Sequence, residues 1–428
     1  MGIVQRIKSA EIVKVSFYSG ISTVLKILTS FVSAKIIAVY LGPAGLGMLG
    51  QLTSFITIFL TLSTGAITNG IIKFVAEYKD DEPKQNRIIK ASLQITLLCS
   101  LLCGLIISIG AKFWSNQLFS KTSYSFVFVI FGITIIFYAL FSLAVAILNG
   151  LQQYKLFNLI NVLASIIGLI FSVTMVVLYG IKGALISAVT YQSIVFIILL
   201  LFIKRSGWFN WQKIKSSIIE RADLVGLSKF SLMAIVSTAA VPMVQIIIRN
   251  YLASNTNSET VGFYEGVNRL SLIYLSLITT TFSVYYLPKL SAATNNSELK
   301  ELLLKGYKFI LPLTFVMLLI TYLLRNLVIK IVFAESFAPM EAYFLPQLVG
   351  DFFKIASWLL AMQMVAKART WLFISTELIF GVLLILITWA LVNQYGGVGA
   401  IYAYTINYFI YLVAMFFIFK NTLINESI

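Results

Sequence analysis

The chain has 428 residues, 59% of them hydrophobic and only 11% charged, with a mean hydropathy of +0.94. Soluble domains carry roughly 25% charged residues, so a water-soluble globule is excluded. The net charge of +16 sits mostly in short connections between apolar runs, which marks topology rather than nucleic-acid binding, and histidine is absent.

The apolar runs recur at lengths that cross a hydrocarbon layer of ~30 Å. They predict an all-α polytopic membrane protein with about twelve spans: 15–41, 45–78, 87–111, 122–149, 155–179, 183–203, 223–252, 259–292, 301–324, 340–366, 370–393 and 398–419. Met1 to Glu11 is polar and leads directly into a full-length span, so no cleavable signal peptide is expected. Cys99 and Cys103 lie inside one apolar run and read as small core residues rather than a disulfide or metal site. Residues 204–222 form the longest polar connector, a basic cytoplasmic linker between an N-terminal bundle, 1–203, and a C-terminal bundle, 223–428.

Counting Lys and Arg sets the orientation. Twenty fall on the side of the N-terminus, the 79–90 loop and the central connector, and five on the other: Lys112, Lys121, Lys182, Arg325 and Lys330. The positive-inside rule then places both termini in the cytoplasm. Seven cations remain within spans: Lys26, Lys35, Lys73, Lys229, Arg249, Arg269 and Lys354.

The halves repeat. Lys35, Gly45 and Lys73 of the first half match Arg249, Gly262 and Lys289 of the second. The third span of each half ends in an amphipathic tail beginning at Lys112 or Arg325. Two six-helix bundles of like orientation form a parallel repeat, expected to enclose a central cavity. Pro242 and Pro312 inside spans seven and nine each remove a helix hydrogen bond and mark kinks.

A charge inside a span is a candidate functional residue. Lys26 lies about 12 residues into span one, roughly 18 Å deep at 1.5 Å per residue, too deep to snorkel. Lys35 is nine residues on, about 180° around the helix, so both face one cavity only if the span bends near Ser19-Gly20 or the Thr29–Ser33 cluster. Arg249 is the second-half counterpart of Lys35, and an arginine grips phosphate bidentately. Arg269 has Glu265 one turn before it. Asn69 and Asn268 are hydrogen-bonding candidates for sugar hydroxyls. Asp351 sits near mid-membrane with Lys354 three residues on, and Glu377 is a weaker acid of the same kind; each acid is a counter-ion or a proton or cation site. The tryptophans Trp114, Trp208, Trp211 and Trp371, with Tyr402, Tyr404, Tyr408 and Tyr411, mostly fit interfacial belts, a few of them being candidates to stack on sugar rings. No P-loop, dinucleotide fingerprint or catalytic carboxylate pair is visible, and no cofactor or metal is expected.

Several separate blocks resemble the Wzx-type flippases, the lipid III and O-antigen flippases within the polysaccharide-transport branch of the multidrug/oligosaccharidyl-lipid/polysaccharide (MOP) exporters. They are Lys26 through Lys35 to Ala38-Val-Tyr-Leu-Gly-Pro-Ala-Gly-Leu-Gly47, Asn69-Gly-Ile-Ile-Lys-Phe-Val-Ala-Glu-Tyr78, Arg249-Asn-Tyr-Leu-Ala253, Phe282-Ser-Val-Tyr-Tyr-Leu-Pro-Lys-Leu-Ser291 and Gln347-Leu-Val-Gly-Asp-Phe-Phe-Lys354. The likeness runs from about Ser16 to Lys420. It implies a bacterial inner-membrane protein that moves an undecaprenyl-diphosphate-linked oligosaccharide, an O-antigen or enterobacterial common antigen unit, from the cytoplasmic to the periplasmic leaflet by alternating access. Lys26, Lys35, Lys73, Arg249, Asp351 and Lys354 occupy family positions. The partners implied are the lipid-linked oligosaccharide, membrane lipids, a glycan polymerase and chain-length proteins. In close relatives span eight has an acid at about Leu272, whereas here the acid is Glu265.

Two rival readings fit the sequence less well. An ion-coupled drug exporter of the same superfamily calls for acids in the cavity, against the seven cations counted here. A membrane glycan polymerase calls for a long catalytic loop, against short connectors and no histidine.

Overall fold

Two glycines decide how the longest helices are cut. The computed structural model describes residues 3–206, 211–228, 231–293 and 295–420; Lys229 and Trp208 lie outside the described residues. Helix α1 (Ile3–Ser63) runs 61 residues and α6 (Tyr154–Ser206) runs 53. At 1.5 Å per residue these rods measure about 90 and 80 Å, against a hydrocarbon layer of ~30 Å. Each is broken once, at Gly42 (φ +64°) and Gly180 (φ +55°), left-handed positions that suit glycine. Pro43 reinforces the first break because the residue before a proline avoids the helical region.

The remaining helices are α2 (Thr68–Glu77), α3 (Glu82–Ile109), α4 (Ala111–Phe119), α5 (Ser125–Gly150), α7 (Trp211–Ser216), α8 (Arg221–Ser228), α9 (Ser231–Asn255), α10 (Ser258–Thr281), α11 (Leu287–Ala292), α12 (Asn296–Leu323), α13 (Arg325–Val332), α14 (Glu341–Ala366), α15 (Thr370–Tyr395) and α16 (Gly397–Ile418). Nine helical stretches among the described residues are long and apolar enough to cross a membrane. Counting the two broken rods twice and adding α10, which is more polar, gives the twelve expected crossings.

The chain clusters into two units, Met1–Tyr40 with Leu52–Ala239, and Leu41–Gln51 with Ala240–Ile428. In the first, α3 packs on α5 and α5 on α6. The α3–α5 crossing is close because small residues meet there: a Cβ on Gly104 would lie 2.4 Å from the Gly132 carbonyl oxygen. The central connector carries α7 and α8, tied to the start of α3. Lys213 pairs with Glu82 at 2.8 Å, Arg87 pairs with Glu220 and Asp223, and Lys90 donates to the Lys215 and Ser217 carbonyls. In the second unit, α14 packs on both α12 and α16, and α15 on α16.

The repeat is visible in the helix breaks. Span two, expected as one rod, is interrupted by two left-handed residues, Gly65 (φ +64°) and Ala66 (φ +54°), before α2. Its counterpart α10 passes through a π-helical turn, Phe282–Tyr286, into α11. Lys73 and Lys289 thus stand on matching short helices. The amphipathic tails form α4 and α13, each followed by a 3₁₀ turn. A Gly-x-x-Gly pattern also recurs, at 42–45, 180–183 and 396–399. The first glycine of each has positive φ, and a Cβ on the fourth would collide with the preceding helix.

Candidate functional site

The second unit contains a charged node built from α9, α10 and the Leu41–Gln51 segment of α1. Arg249 Nη2 meets Glu265 Oε2 at 2.7 Å, and Arg269 Nε meets Glu265 Oε1 at 2.7 Å. The Arg249 and Glu265 side chains are each 7% exposed, and Arg269 is 26% exposed. Arg249 Nη1 also donates to the Gly50 carbonyl at 3.2 Å. Beside it Gln51 Nε2 donates to Asn250 Oδ1 at 2.5 Å. Position 50 is crowded, because a Cβ there would lie 2.4 Å from the Glu265 carboxyl carbon. One carboxylate held between two guanidiniums leaves the node a net positive charge, most accessible at Arg269. The Arg269–Glu265 contact is the one-turn pair the spacing predicts. Arg249 is buried in the same node, and its guanidinium does not snorkel.

A second node lies on α10, α14, α15 and α16. Asp351 is fully buried and accepts hydrogen bonds from Ser271 Oγ at 2.8 Å, Tyr404 OH at 2.6 Å and the Tyr274 hydroxyl; Gln347 Nε2 is 3.3 and 3.4 Å from its two oxygens. Hydroxyls and an amide, rather than Lys354, therefore supply its close contacts. Lys354 Nζ sits instead among aromatic faces, 5.0 Å from the Trp358 ring, 5.0 Å from Tyr408 and 5.4 Å from Tyr404. Such faces attract a cation through the ring quadrupole. Asp351 and Glu377 both act electrostatically on this ammonium. Tyr404 joins the two groups, its hydroxyl on the acid and its ring under the lysine.

The tyrosines of α16 correct the expectation of an interfacial belt. Tyr404 and Tyr411 are buried at 4% and 7% exposure, while Tyr402 is exposed. Positions 404, 408 and 411 share one helix face, and that face packs inward because Asp351 and Lys354 need polar and π partners there. Ser271, Tyr274 and Gln347 were missed as well. The only available signal was that a buried acid must find donors.

The first unit holds Lys26, Lys35 and Asn69. Helix α1 keeps helical dihedrals up to Leu41, so Lys26 and Lys35 point to opposite sides. The Thr29 and Ser30 hydroxyls both donate to the Lys26 carbonyl, at 3.0 and 2.7 Å, without breaking the helix. Lys26 is exposed and Lys35 half-buried. Among the described residues no acid pairs with Lys26. Asn69 is exposed just past the Gly65–Ala66 break. Lys73 is 4.0 Å from Glu77 and lies over the Phe74 ring. The Asn268 amide donates to the Tyr264 carbonyl. Both cysteines are free thiols, Cys103 buried and Cys99 only half-buried, and no cluster fit to hold a metal ion exists among the described residues.

Residues 12–294 match the family profile described as polysaccharide biosynthesis protein. The chain is 30% identical over 402 residues to the lipid III flippase of Escherichia coli (strain K12) and, equally, to that of Shigella flexneri. In each case 94% of this chain and 96% of the relative are covered. Among solved structures, an inward-facing multidrug resistance MATE family transporter of the MOP superfamily superposes with a TM-score of 0.74 at 14% identity, covering 93% of this chain and 94% of that one. The inward closed conformation of lipid II flippase MurJ gives 0.73 at 16% identity, covering 95% and 87%. These two likenesses establish the fold. The family match and the near full-length identity go further: the chain belongs to the polysaccharide biosynthesis protein family, the family in which it aligns with lipid III flippases over nearly its whole length.

Proposed function

We propose that this protein is a flippase that carries a polyprenyl-diphosphate-linked oligosaccharide from the cytoplasmic to the periplasmic leaflet of a bacterial inner membrane by alternating access. The observation that carries the reading is the 30% identity to lipid III flippases over nearly the whole of both chains. The charge inventory supports it. Lys26 is an exposed intramembrane ammonium without an acid partner among the described residues, and the Arg249–Glu265–Arg269 node keeps an excess positive charge. Both suit a diphosphate, which charge-assisted donors bind strongly.

In this reading Lys26 is one phosphate contact of the first unit and Arg269 one of the second, with Arg249 held behind Arg269 by the shared carboxylate. Lys35, Asn69 and Lys354 supply further contacts to phosphate or sugar. Glu265 is the counter-ion of the arginines, and Asp351 and Glu377 flank Lys354. Both termini face the cytoplasm, and the product is handed on the outer leaflet to a glycan polymerase and its chain-length proteins. The chain acts as a transporter and makes no covalent change to its cargo. Cations outnumber acids at these positions, which favours an anionic lipid over a cationic drug.

The test is complementation of strains that each lack one flippase of known repeat unit. We expect surface glycan to be restored in at least one strain, lost with Lys26→Ala at equal membrane level, and partly recovered with Lys26→Arg. Full restoration by Lys26→Ala removes Lys26 from the site, and failure in every strain at normal expression refutes the flippase reading.

A further inference from the structure

The connector that carries α7 and α8 has apolar side chains on both of its faces. Ile214, Ile219 and Leu227 turn inward and pack with Ile88 and Ile89 of α3. Ile218, by contrast, is 81% exposed, and Leu224 and Val225 are exposed as well. Helical spacing separates the two faces of α8. Asp223 and Leu227, one turn apart, face the core, the acid held by Arg87 and the leucine buried. Arg221, Leu224, Val225 and Ser228 make up the exposed face. Exposed aliphatic side chains rimmed by charge on a polar segment mark a surface that meets lipid rather than water.

The charges on this surface are unbalanced. The acids beside it are engaged, Glu82 with Lys213, and Glu220 and Asp223 with Arg87. Lys215 and Arg221 are exposed, three residues to either side of Ile218, and among the described residues no acid pairs with them. The depth of the surface follows from Lys90, whose ammonium reaches the Ser217 carbonyl at 2.6 Å. Ile218 therefore stands within one lysine side chain of residue 90. From Ala91 to Ile109 α3 carries no charge, so this is the level at which the apolar span opens. Aliphatic groups here reach acyl chains, while long cationic side chains extend to headgroups.

We propose that the Lys215–Val225 face of the connector is a docking surface for an anionic phospholipid, with Lys215 and Arg221 on its phosphate and Ile218, Leu224 and Val225 against its acyl chains. A zwitterionic lipid would make the same apolar contact, but its headgroup cation would find no free carboxylate beside the two basic residues. A soluble polyanion would meet the cations and leave the three aliphatic side chains in water. The orientation proposed above places this lipid in the inner leaflet. The contact itself does not depend on which cargo the protein moves.

The test uses the full-length protein with Cys99→Ser and Cys103→Ser and a bimane label on Ile218→Cys, in phosphatidylcholine nanodiscs. Brominated phosphatidylglycerol is added in rising fraction, and brominated phosphatidylcholine in a parallel series. Phosphatidylglycerol should half-quench the label at a fraction well below that needed with phosphatidylcholine. Lys215→Gln and Arg221→Gln should each raise that fraction about fivefold, the weight of one cation at an anionic surface, and the double variant should abolish the preference. Arg221→Lys should keep it, which separates loss of charge from loss of fold. Lys112→Gln, a cation of the predicted outer side, should change nothing. Equal quenching by the two lipids, quenching by neither, or a preference that survives the double substitution overturns the proposal. So does a preference that Lys112→Gln removes as fully, because the attraction would then belong to the whole molecule and not to this face. Translocation of a lipid-linked oligosaccharide is not read in this assay, so its outcome leaves the flippase reading to its own test.

Discussion

Arg249 and Glu265 meet at 2.7 Å with 7% of each side chain exposed, and the same carboxylate holds Arg269 at 2.7 Å. Removing one partner of a buried pair strands the other charge, at a cost of about 3–5 kcal/mol. Glu265→Gln should therefore destabilise the protein by that order, because it leaves two guanidiniums facing each other. Adding Arg249→Met to it should recover much of the loss, since contacting residues are not additive. Thermal unfolding of the single and double variants in detergent checks this. Equal stability of Glu265→Gln and wild type would show that the node does not stabilise the fold.

Two glycines around this node should rank in a fixed order. A Cβ on Gly262 would lie 1.9 Å from the Pro43 carbonyl oxygen and 2.2 Å from its carbon, and backbone cannot step aside. On Gly50 the obstacle is the Glu265 carboxylate, which can shift only by loosening its arginines. We expect Gly262→Ala to prevent accumulation of folded protein, and Gly50→Ala to cost about 1–3 kcal/mol, the usual penalty for overpacking. Gly20→Ala is the control. Nothing lies within 4 Å of its added methyl, and alanine in a helix gains about 0.5–1 kcal/mol over glycine. Melting temperatures of the three variants test the order.

Much of this arrangement was legible from residue spacing. Length and hydropathy suffice for spans because the bilayer sets a minimum helix length. The Glu265–Arg269 pair followed from being one turn apart, and the amphipathic tails at Lys112 and Arg325 followed from their composition. The Arg249–Glu265 contact was not legible, because it joins different helices and spacing says nothing about which faces meet. Asp351 was recognised as a charge in a span, yet its hydroxyl partners come from α10 and α16, 53 to 80 residues away in sequence. Spacing suggested that Asp351 pairs with Lys354. The tyrosines won both groups, one through hydroxyls and one through ring faces. The break after Thr64 was hidden too, since Ala66 gives no sign that it adopts a left-handed dihedral.

That break makes a further prediction. Ala66 holds φ +54° while fully packed at 2% exposure. A non-glycine residue in the left-handed region costs roughly 1–2 kcal/mol, so Ala66→Gly should leave stability unchanged or raise it slightly, the relieved strain offsetting glycine's added freedom in the unfolded chain. Ala66→Val should lower it, because branching at Cβ crowds the same dihedral. Gly65→Ala should be worse, since its Cβ would lie 2.6 Å from Ile95 Cγ2 in addition to the strained φ of +64°. A rise in melting temperature with Ala66→Val would show that the segment adopts a different conformation.

The loop before α3 offers a pH test outside the membrane. Asp81 caps that helix, its side chain accepting from the Lys84 backbone N–H at 3.1 Å and pairing with the Lys84 ammonium at 3.1 Å. The backbone hydrogen bond first, and then the lysine side chain, hold the Asp81 carboxyl below its usual value of 3.8. A depressed folded-state value means that the cap's contribution is fully present above the unfolded value near 3.8. It is lost as pH falls through the lower, folded one. Protection of the Lys84 amide against hydrogen exchange, corrected for intrinsic rate, should accordingly be constant at neutral pH and decline below about pH 3.8. In Asp81→Asn the amide oxygen still caps the helix but does not titrate, so protection should persist into acid. In Asp81→Ala it should be low at every pH. A decline in Asp81→Asn that matches wild type would assign the acid sensitivity to another carboxylate, with Glu82 and its Lys213 pair the next to substitute.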